Sequence, residues 1–123
     1  MSTHHLGDLQ HAIMEVLWQR GEASAADVHG ALLDERGLAP TTISTMLTKM
    51  EKKGVITFRK EGRRFIYRPL VDQVQVRRSM VGDLTQRLFE GRAAAMVSHL
   101  LTQHDFDADE LDELKALIQK MDD

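Results

Sequence analysis

The chain has 123 residues, of which 42% are apolar and 28% charged, and it contains no cysteine. This composition excludes a disordered chain, and no apolar run approaches the roughly 18 residues of a membrane span, so we expect no membrane insertion. The length suits one compact domain, or a small domain with an appended arm. Without cysteine the chain has no disulfide, zinc ribbon or catalytic thiol, and we expect a cytoplasmic protein with no secretory leader.

The net charge of −3 conceals an uneven distribution along the chain. Residues 36–70 carry nine basic and two acidic side chains, a net charge of +7. The segments on either side, 1–35 and 71–123, each carry a net charge of −5. A basic segment between two acidic ones is typical of a protein that binds a polyanion with one face, although an unevenly charged solvated surface gives the same count.

Three helices are predicted in the first half of the chain. Ser24, with Asp27 three residues later, forms a capping-box pattern at the start of the second helix. Pro40 suits the first position of the third helix, where its missing N–H would have had no partner. Apolar residues at helical spacing, followed each time by a glycine, place these helices over about Leu9–Arg20, Ala25–Arg36 and Thr41–Lys53.

The third helix is predicted to have an unusual outward face. Ile43, Leu47 and Met50 belong to its apolar stripe, and Glu51 is its only acid. The other face carries hydroxyls and cations that suit phosphate oxygens and base edges, although a polar solvent face over an ordinary core is the plain alternative. These candidate DNA-binding residues are Thr41, Thr42, Ser44, Thr45, Thr48, Lys49 and Lys52.

A basic hairpin is predicted next. Two runs rich in β-branched and aromatic residues, Val55–Lys60 and Arg64–Pro69, flank a turn at Glu61-Gly62-Arg63. Arg63 and Arg64 lie at its tip and are further candidates for DNA contact. The alternative is an edge strand kept soluble by its cations.

The remaining chain is predicted to be helical, over about Gln73–Phe89, Arg92–Gln103 and a last helix opened by Asp107 with Glu110. Its apolar positions are numerous for so short a segment, which indicates self-association, with packing onto the first helix as the alternative. The candidate dimerisation residues are Leu84, Leu88, Met96, Leu100, Leu111, Leu114, Ile118 and Met121.

Three helices followed by a basic hairpin predict a mainly α fold. We expect a winged helix-turn-helix domain over residues 1–70 and a helical dimerisation region over residues 71–123. In such a domain the third helix enters the major groove and the hairpin, or wing, reaches flanking phosphates. The functional prediction is therefore a protein that binds double-stranded DNA. The alternative is a winged helix used for protein docking, which would need exposed apolar anchors on the third helix.

Several motifs are distributed along residues 6–121. They are Leu6-Gly7-Asp8-Leu9, Leu17-Trp18, Ala26-Asp27-Val28-His29, Pro40-Thr41-Thr42-Ile43-Ser44-Thr45-Met46-Leu47, Lys49-Met50-Glu51-Lys52-Lys53-Gly54, Lys60-Glu61-Gly62-Arg63, Tyr67-Arg68-Pro69 and Asp109-Glu110-Leu111-Asp112-Glu113-Leu114. Together they resemble the penicillinase-repressor family of bacterial transcription regulators, which includes the β-lactamase, methicillin-resistance and copper-transport repressors. The most specific of these motifs is the third-helix sequence.

The resemblance implies a homodimeric repressor whose winged helix binds a palindromic operator and whose C-terminal helices dimerise. It implies control of a β-lactam-response operon or of another stress operon. The operator contacts that it implies are Thr41, Thr42, Ser44 and Lys49, with Arg63 and Arg64 on the wing.

The resemblance also implies a route of induction. In the antibiotic-responsive members a membrane sensor protease triggers cleavage inside the dimerisation region. The corresponding bond lies near His99-Leu100, in place of the asparagine–phenylalanine pair of the studied repressors. The copper-responsive members carry a C-terminal cysteine motif, so the cysteine-free sequence excludes copper release by that route.

The sequence predicts neither an enzyme nor a resident cofactor. It lacks a glycine-rich phosphate loop, an H-E-x-x-H motif and a nucleophile elbow. His99, His104 and Asp105 are the one cluster that invites a metal test. The two histidines are five residues apart, a poor spacing for one helical face, so we predict no metal site.

Overall fold

The structure, a computed structural model, describes residues 6–122. The predicted helices and hairpin strands occur in the predicted order, and every predicted end lies within one residue of the observed one, but the short strand β1 was not predicted. The elements are α1 (Asp8–Arg20), β1 (Ala23–Ser24), α2 (Ala25–Arg36), α3 (Pro40–Lys53), β2 (Ile56–Glu61), β3 (Arg64–Pro69), α4 (Gln73–Phe89), α5 (Ala93–Gln103) and α6 (Ala108–Asp122).

Local hydrogen bonds fix where the helices begin. At α2 the Ser24 hydroxyl accepts from the Asp27 N–H, and the Asp27 carboxylate accepts from the Ser24 N–H, both at 3.1 Å. At α4 the side chains of Asp72 and Gln75 make the same reciprocal pair, at 2.7 and 2.9 Å. Each box satisfies two backbone donors that the helix itself leaves unpaired.

The hydrophobic core lies between the first three helices and the sheet. α3 packs on α2 and β2, and the first part of α4 adds Val76 to the same core. Trp18 ties α1 to the start of α4, because its indole N–H donates to the Val71 carbonyl at 2.8 Å. The largest fully buried side chains are Ile13, Met14, Leu17, Val28, Ile43, Leu47, Met50, Val55, Ile56 and Val76.

The sheet has three antiparallel strands in the order β1-β3-β2. β1 was not predicted, because two residues are too short to show an alternating pattern. Ala23 pairs with Tyr67 and Ser24 with Ile66, so the residue that caps α2 is also bonded into the sheet. The base of the wing is therefore anchored to the start of α2.

The turn of the wing is shorter than predicted. Glu61 pairs with Arg64, so the three-residue turn expected at Glu61-Gly62-Arg63 is in fact the two-residue turn Gly62-Arg63. Gly62 has φ +64°, and Arg63 is not among the residues with positive φ. A glycine with positive φ at the first central position is typical of a type II′ turn, whose twist matches that of the strands.

The chain divides into two compact units, the first ending at Asp83 and the second beginning at Leu84. In the second unit α5 and α6 have no buried residue. The Thr85 hydroxyl donates to the Met96 sulfur at 3.2 Å within this unit. No helix within residues 6–122 has the length and apolarity to cross a bilayer.

Candidate nucleic-acid interface

The outward face of α3 follows from its buried face. Ile43, Leu47 and Met50 are almost fully buried and orient the helix against the core. All seven side chains that the sequence singled out on this helix are exposed, namely Thr41, Thr42, Ser44, Thr45, Thr48, Lys49 and Lys52. The exposed face thus carries hydroxyls and cations, without the apolar anchors that a docking helix needs.

The hydroxyls on this face are not equivalent. Thr48 donates its hydroxyl hydrogen to the Ser44 carbonyl at 3.1 Å, so its oxygen is left mainly as an acceptor. The hydroxyls of Thr41, Thr42, Ser44 and Thr45 form no hydrogen bond with another residue in the described range 6–122. Those four are free to donate to phosphate oxygens or base acceptors.

The structure separates bonded cations from unpaired ones in the basic segment 36–70. Arg36 bonds Asp8 of α1 at 2.7 Å, and Lys53 donates to the Gln10 side chain at 3.1 Å. Lys49 and Lys52 are exposed on α3 and form no ion pair with any residue between 6 and 122. The unpaired cations Lys49 and Lys52 therefore lie on the same exposed face of α3 as the hydroxyls.

The wing shows the same separation. Arg59 is held between Glu22 and Glu61, with N–O distances of 2.9 and 2.8 Å. The hydrogen bond that Arg59 donates to Glu22 lowers the pKa of the Glu22 carboxyl. Arg63 and Arg64 are exposed at the turn and have no such partner within the described chain. The sequence could not assign this difference, because Glu22 is 37 residues from Arg59.

α3 and the wing border one cleft, a cavity of about 360 Å³. Ser44 and Thr48 line it from α3, and Arg64 lines it from β3. The start of α2, Ser24 to Ala26, forms a further wall, and Phe65 and Tyr67 complete it. The structure therefore brings together candidate residues that are about 20 positions apart in the sequence.

Two exposed aromatic residues on the wing were not predicted as site residues. Phe58 and Phe65 remain 42% and 41% exposed. Their ring centroids are 4.7 Å apart in an edge-to-face arrangement. The Lys60 ammonium lies 5.6 Å from the centre of the Phe65 ring. Only the exposure separates these rings from core residues, and the sequence does not show it.

The second unit exposes apolar side chains along all of its helical segments. Among the candidate dimerisation residues, Leu114 and Met96 are half-buried and the others are exposed, up to 86% for Met121. The list drawn from the sequence omitted three further exposed residues, Val97, Leu101 and Leu117. Helical spacing was the signal that could have found Leu117, which lies on the same face as Leu114 and Met121.

His99 and Leu100, at the candidate cleavage bond, are both exposed and lie inside α5 rather than in a loop. The His99 ring packs against Phe89 with centroids 5.8 Å apart, and the His104 ring against Phe106 at 4.7 Å. No three side chains of the metal-binding residue types converge within residues 6–122.

This fold and this face define a winged-helix nucleic-acid-binding protein. Comparison with known proteins gives its family. The model of the penicillinase repressor family matches residues 6–120. The chain belongs to the penicillinase repressor family, a family of transcriptional repressors and not of enzymes. The predicted family is therefore confirmed, and so is the prediction that the protein is a repressor and not an enzyme. The alternative of a protein-docking module is not favoured.

Individual relatives agree with this assignment. The transcriptional regulator BlaI of Mycobacterium tuberculosis is 33% identical over 118 residues, covering 94% of this chain and 84% of its own. The methicillin resistance regulatory protein MecI of Mammaliicoccus sciuri is 25% identical over 118 residues, 96% of each chain. The solution structure of the DNA-binding domain of the repressor BlaI is 32% identical, with a TM-score of 0.54 over 59% of this chain and 89% of its own.

Proposed function

We propose that this repressor binds an operator duplex as a homodimer, with α3 in the major groove and the wing on the adjacent backbone. One observation carries the proposal. The exposed hydroxyl and cationic face of α3 shares a cleft with Arg64 of the wing. A major groove admits one helix, and a helix with donors and cations on its outer face is suited to it.

The proposed contacts divide by chemistry. Lys49, Lys52 and the wing arginines Arg63 and Arg64 contact phosphates, which give affinity and steep salt dependence. The hydroxyls face phosphates and base edges, which place the helix and read sequence. The hydroxyl set is Thr41, Thr42, Ser44, Thr45 and Thr48.

The exposed apolar side chains of the second unit support dimerisation. Monomeric proteins rarely leave so many large apolar side chains in water, because covering them is favourable. Two linked winged helices bind more tightly than one, and a twofold dimer matches a palindromic site. The proposed interface residues are Leu84, Leu88, Met96, Leu100, Leu111, Leu114, Ile118 and Met121, to which the exposures add Val97, Leu101 and Leu117.

The regulated process is proposed from the relatives. We propose a cytoplasmic repressor that controls an antibiotic response, which the relatives named for methicillin resistance and penicillinase repression support for the regulated process. Release by a sensor protease near His99 and Leu100 is the matching proposal. Because this bond lies inside α5, cleavage there requires local unfolding of the helix.

A salt titration with the variant Lys49→Glu tests DNA binding. We expect the protein to bind a random 20-base-pair duplex less tightly as salt rises from 50 to 300 mM. Lys49→Glu should lower the affinity at 50 mM about tenfold or more and leave the melting temperature unchanged, because it removes a phosphate contact and adds a repelling charge. Gel shift and fluorescence anisotropy measure both effects.

Lys115→Glu, an equal charge change on exposed α6, is the matched control and should change the affinity little. Equal weakening by both variants would mean that net charge alone governs binding. A salt-independent affinity of the unaltered protein would favour protein docking over DNA binding.

A further inference from the structure

Two half-exposed phenylalanines lie within the most basic part of the protein, and the DNA contacts above leave them without a role. Phe58 pairs across the wing with Tyr67, and Lys60 pairs with Phe65, so all four side chains lie on one face of the hairpin. The Lys60 ammonium lies 5.6 Å from the centre of the Phe65 ring, and Arg64, the residue before Phe65, lines the same cleft as that ring. An apolar ring with cations near it suits a partner that has apolar and anionic groups close together.

The two rings differ in what they face. Phe65 lines the cleft together with Ser44 and Thr48 of α3, whereas Phe58 is not among the residues of that cleft. Phe58 packs edge-to-face on Phe65 at 4.7 Å and on Tyr67 at 5.9 Å. Phe58 therefore contacts the Phe65 ring from outside that cleft.

The geometry of a duplex indicates what passes through this cleft. Neighbouring grooves are separated by one sugar–phosphate strand. If α3 occupies the major groove and the wing lies beyond the edge of that groove, the sugar–phosphate strand at the edge runs between α3 and the wing. The strand presents phosphates and the apolar faces of deoxyribose rings in alternation, and the cleft offers a cation, Arg64, and an apolar ring, Phe65.

We propose that the cleft between α3 and β3 seats one sugar–phosphate strand, with Phe65 packed on a deoxyribose ring. This inference rests on the proposed DNA binding and makes it more specific. Arg64 and the Ser44 hydroxyl hold the phosphate next to that sugar. The contact with the sugar is apolar, so it adds affinity without releasing counterions and without reading base sequence.

The slope of log K against log salt distinguishes an apolar contact from an ionic one. Anisotropy titrations of the full chain with a random 20-base-pair duplex from 50 to 300 mM salt give this slope for each variant. Phe65→Thr should raise Kd about threefold to tenfold at every salt concentration and leave the slope unchanged. Arg64→Gln should raise Kd and reduce the magnitude of the slope by about 0.9, the loss of one phosphate contact.

Phe58→Thr is the matched control, because it removes a ring of nearly equal exposure from the same pair, outside the cleft. Phe58→Thr should lower the melting temperature about as much as Phe65→Thr does, but it should change Kd less than twofold. Phe65→Leu keeps an apolar side chain with less area, so it should raise Kd less than Phe65→Thr does.

Three results would overturn the inference while DNA binding itself stands. These are an unchanged Kd for Phe65→Thr, equal weakening by Phe58→Thr, or a reduced slope for Phe65→Thr. A different result would overturn the proposed function as well, namely no salt-dependent binding by the unaltered protein.

Discussion

Arg59 and Arg64 carry the same charge on neighbouring strands of the wing, yet their surroundings give them different roles. Arg59 is bonded to two carboxylates, whereas Arg64 faces the cleft beside α3. Because paired cations release fewer counterions, we expect Arg59 to add little to the salt dependence of DNA binding. Its bond with Glu22 instead connects β2 to the loop before β1, which fixes the wing on the core.

This bond predicts a pH dependence of stability. Its hydrogen bond with Arg59 holds the pKa of the Glu22 carboxyl below its ordinary value. A group with a lowered folded pKa stabilises the fold above its unfolded pKa, and that contribution is lost as the pH falls through the folded pKa. Glu22→Gln should therefore lower the melting temperature at pH 7, and the difference from the unaltered protein should shrink as the pH falls below about 4.

Thermal unfolding followed by circular dichroism between pH 7 and pH 3 measures this difference. Glu113→Gln is the control, since Glu113 is exposed and forms no ion pair with residues in the described range. It should leave the melting temperature nearly unchanged at each pH. A Glu22→Gln difference that stays constant across this range would show that the carboxylate charge is not what stabilises the wing.

The elements of the fold follow closely from local sequence signals. The capping box at α2 and the glycines after the first three helices gave ends within one residue, since these signals act over three or four positions. β1 was not predicted, because it pairs with a strand more than 40 residues away and leaves no local pattern. The turn was predicted one residue too long, because the pairing of Glu61 with Arg64 decides where the strands end.

The capping box also gives an element-scale prediction. Ser24→Ala removes the side-chain acceptor for the Asp27 N–H and leaves that donor without its partner at the start of α2. Loss of such a cap costs about 0.5–2 kcal/mol in the free energy of unfolding. Urea unfolding measures it, and an unchanged m-value would show that only stability has changed.

Ser98→Ala in α5 is the matched control. Ser98 is exposed within a helix and caps nothing, so the change should stay within about 0.5 kcal/mol. If both variants lost the same free energy, the box at α2 would not be a stabilising feature.

At the scale of the whole molecule, the two compact units differ in how they satisfy their apolar residues. The first unit buries a core of its own, whereas α5 and α6 of the second bury none. Leu117 and Ile118 are more than half exposed and lie next to each other on α6. Covering these side chains is favourable, and in the proposed homodimer a second copy of the chain provides an identical apolar surface.

Leu117→Glu combined with Ile118→Glu should therefore convert the proposed dimer to a monomer, because two buried carboxylates per chain are costly to desolvate. Sedimentation equilibrium measures the mass, and the monomer should also bind duplex more weakly, because the second winged helix no longer contributes. Gln119→Glu adds the same kind of charge on another side of α6 and should leave the dimer intact. A dimer that persists in the double variant would place the interface elsewhere.

The sequence by itself determined the helices, the hairpin, the basic segment and the hydroxyl-bearing face of α3, since each depends on spacing within a short stretch of chain. The tertiary structure alone decided which cations are free, because the partners of Arg36 and Arg59 come from residues 28 and 37 positions away. It also decided that Phe65 borders a cleft instead of a core. Partner choice and burial depend on the folded arrangement of distant segments, which local sequence patterns do not contain.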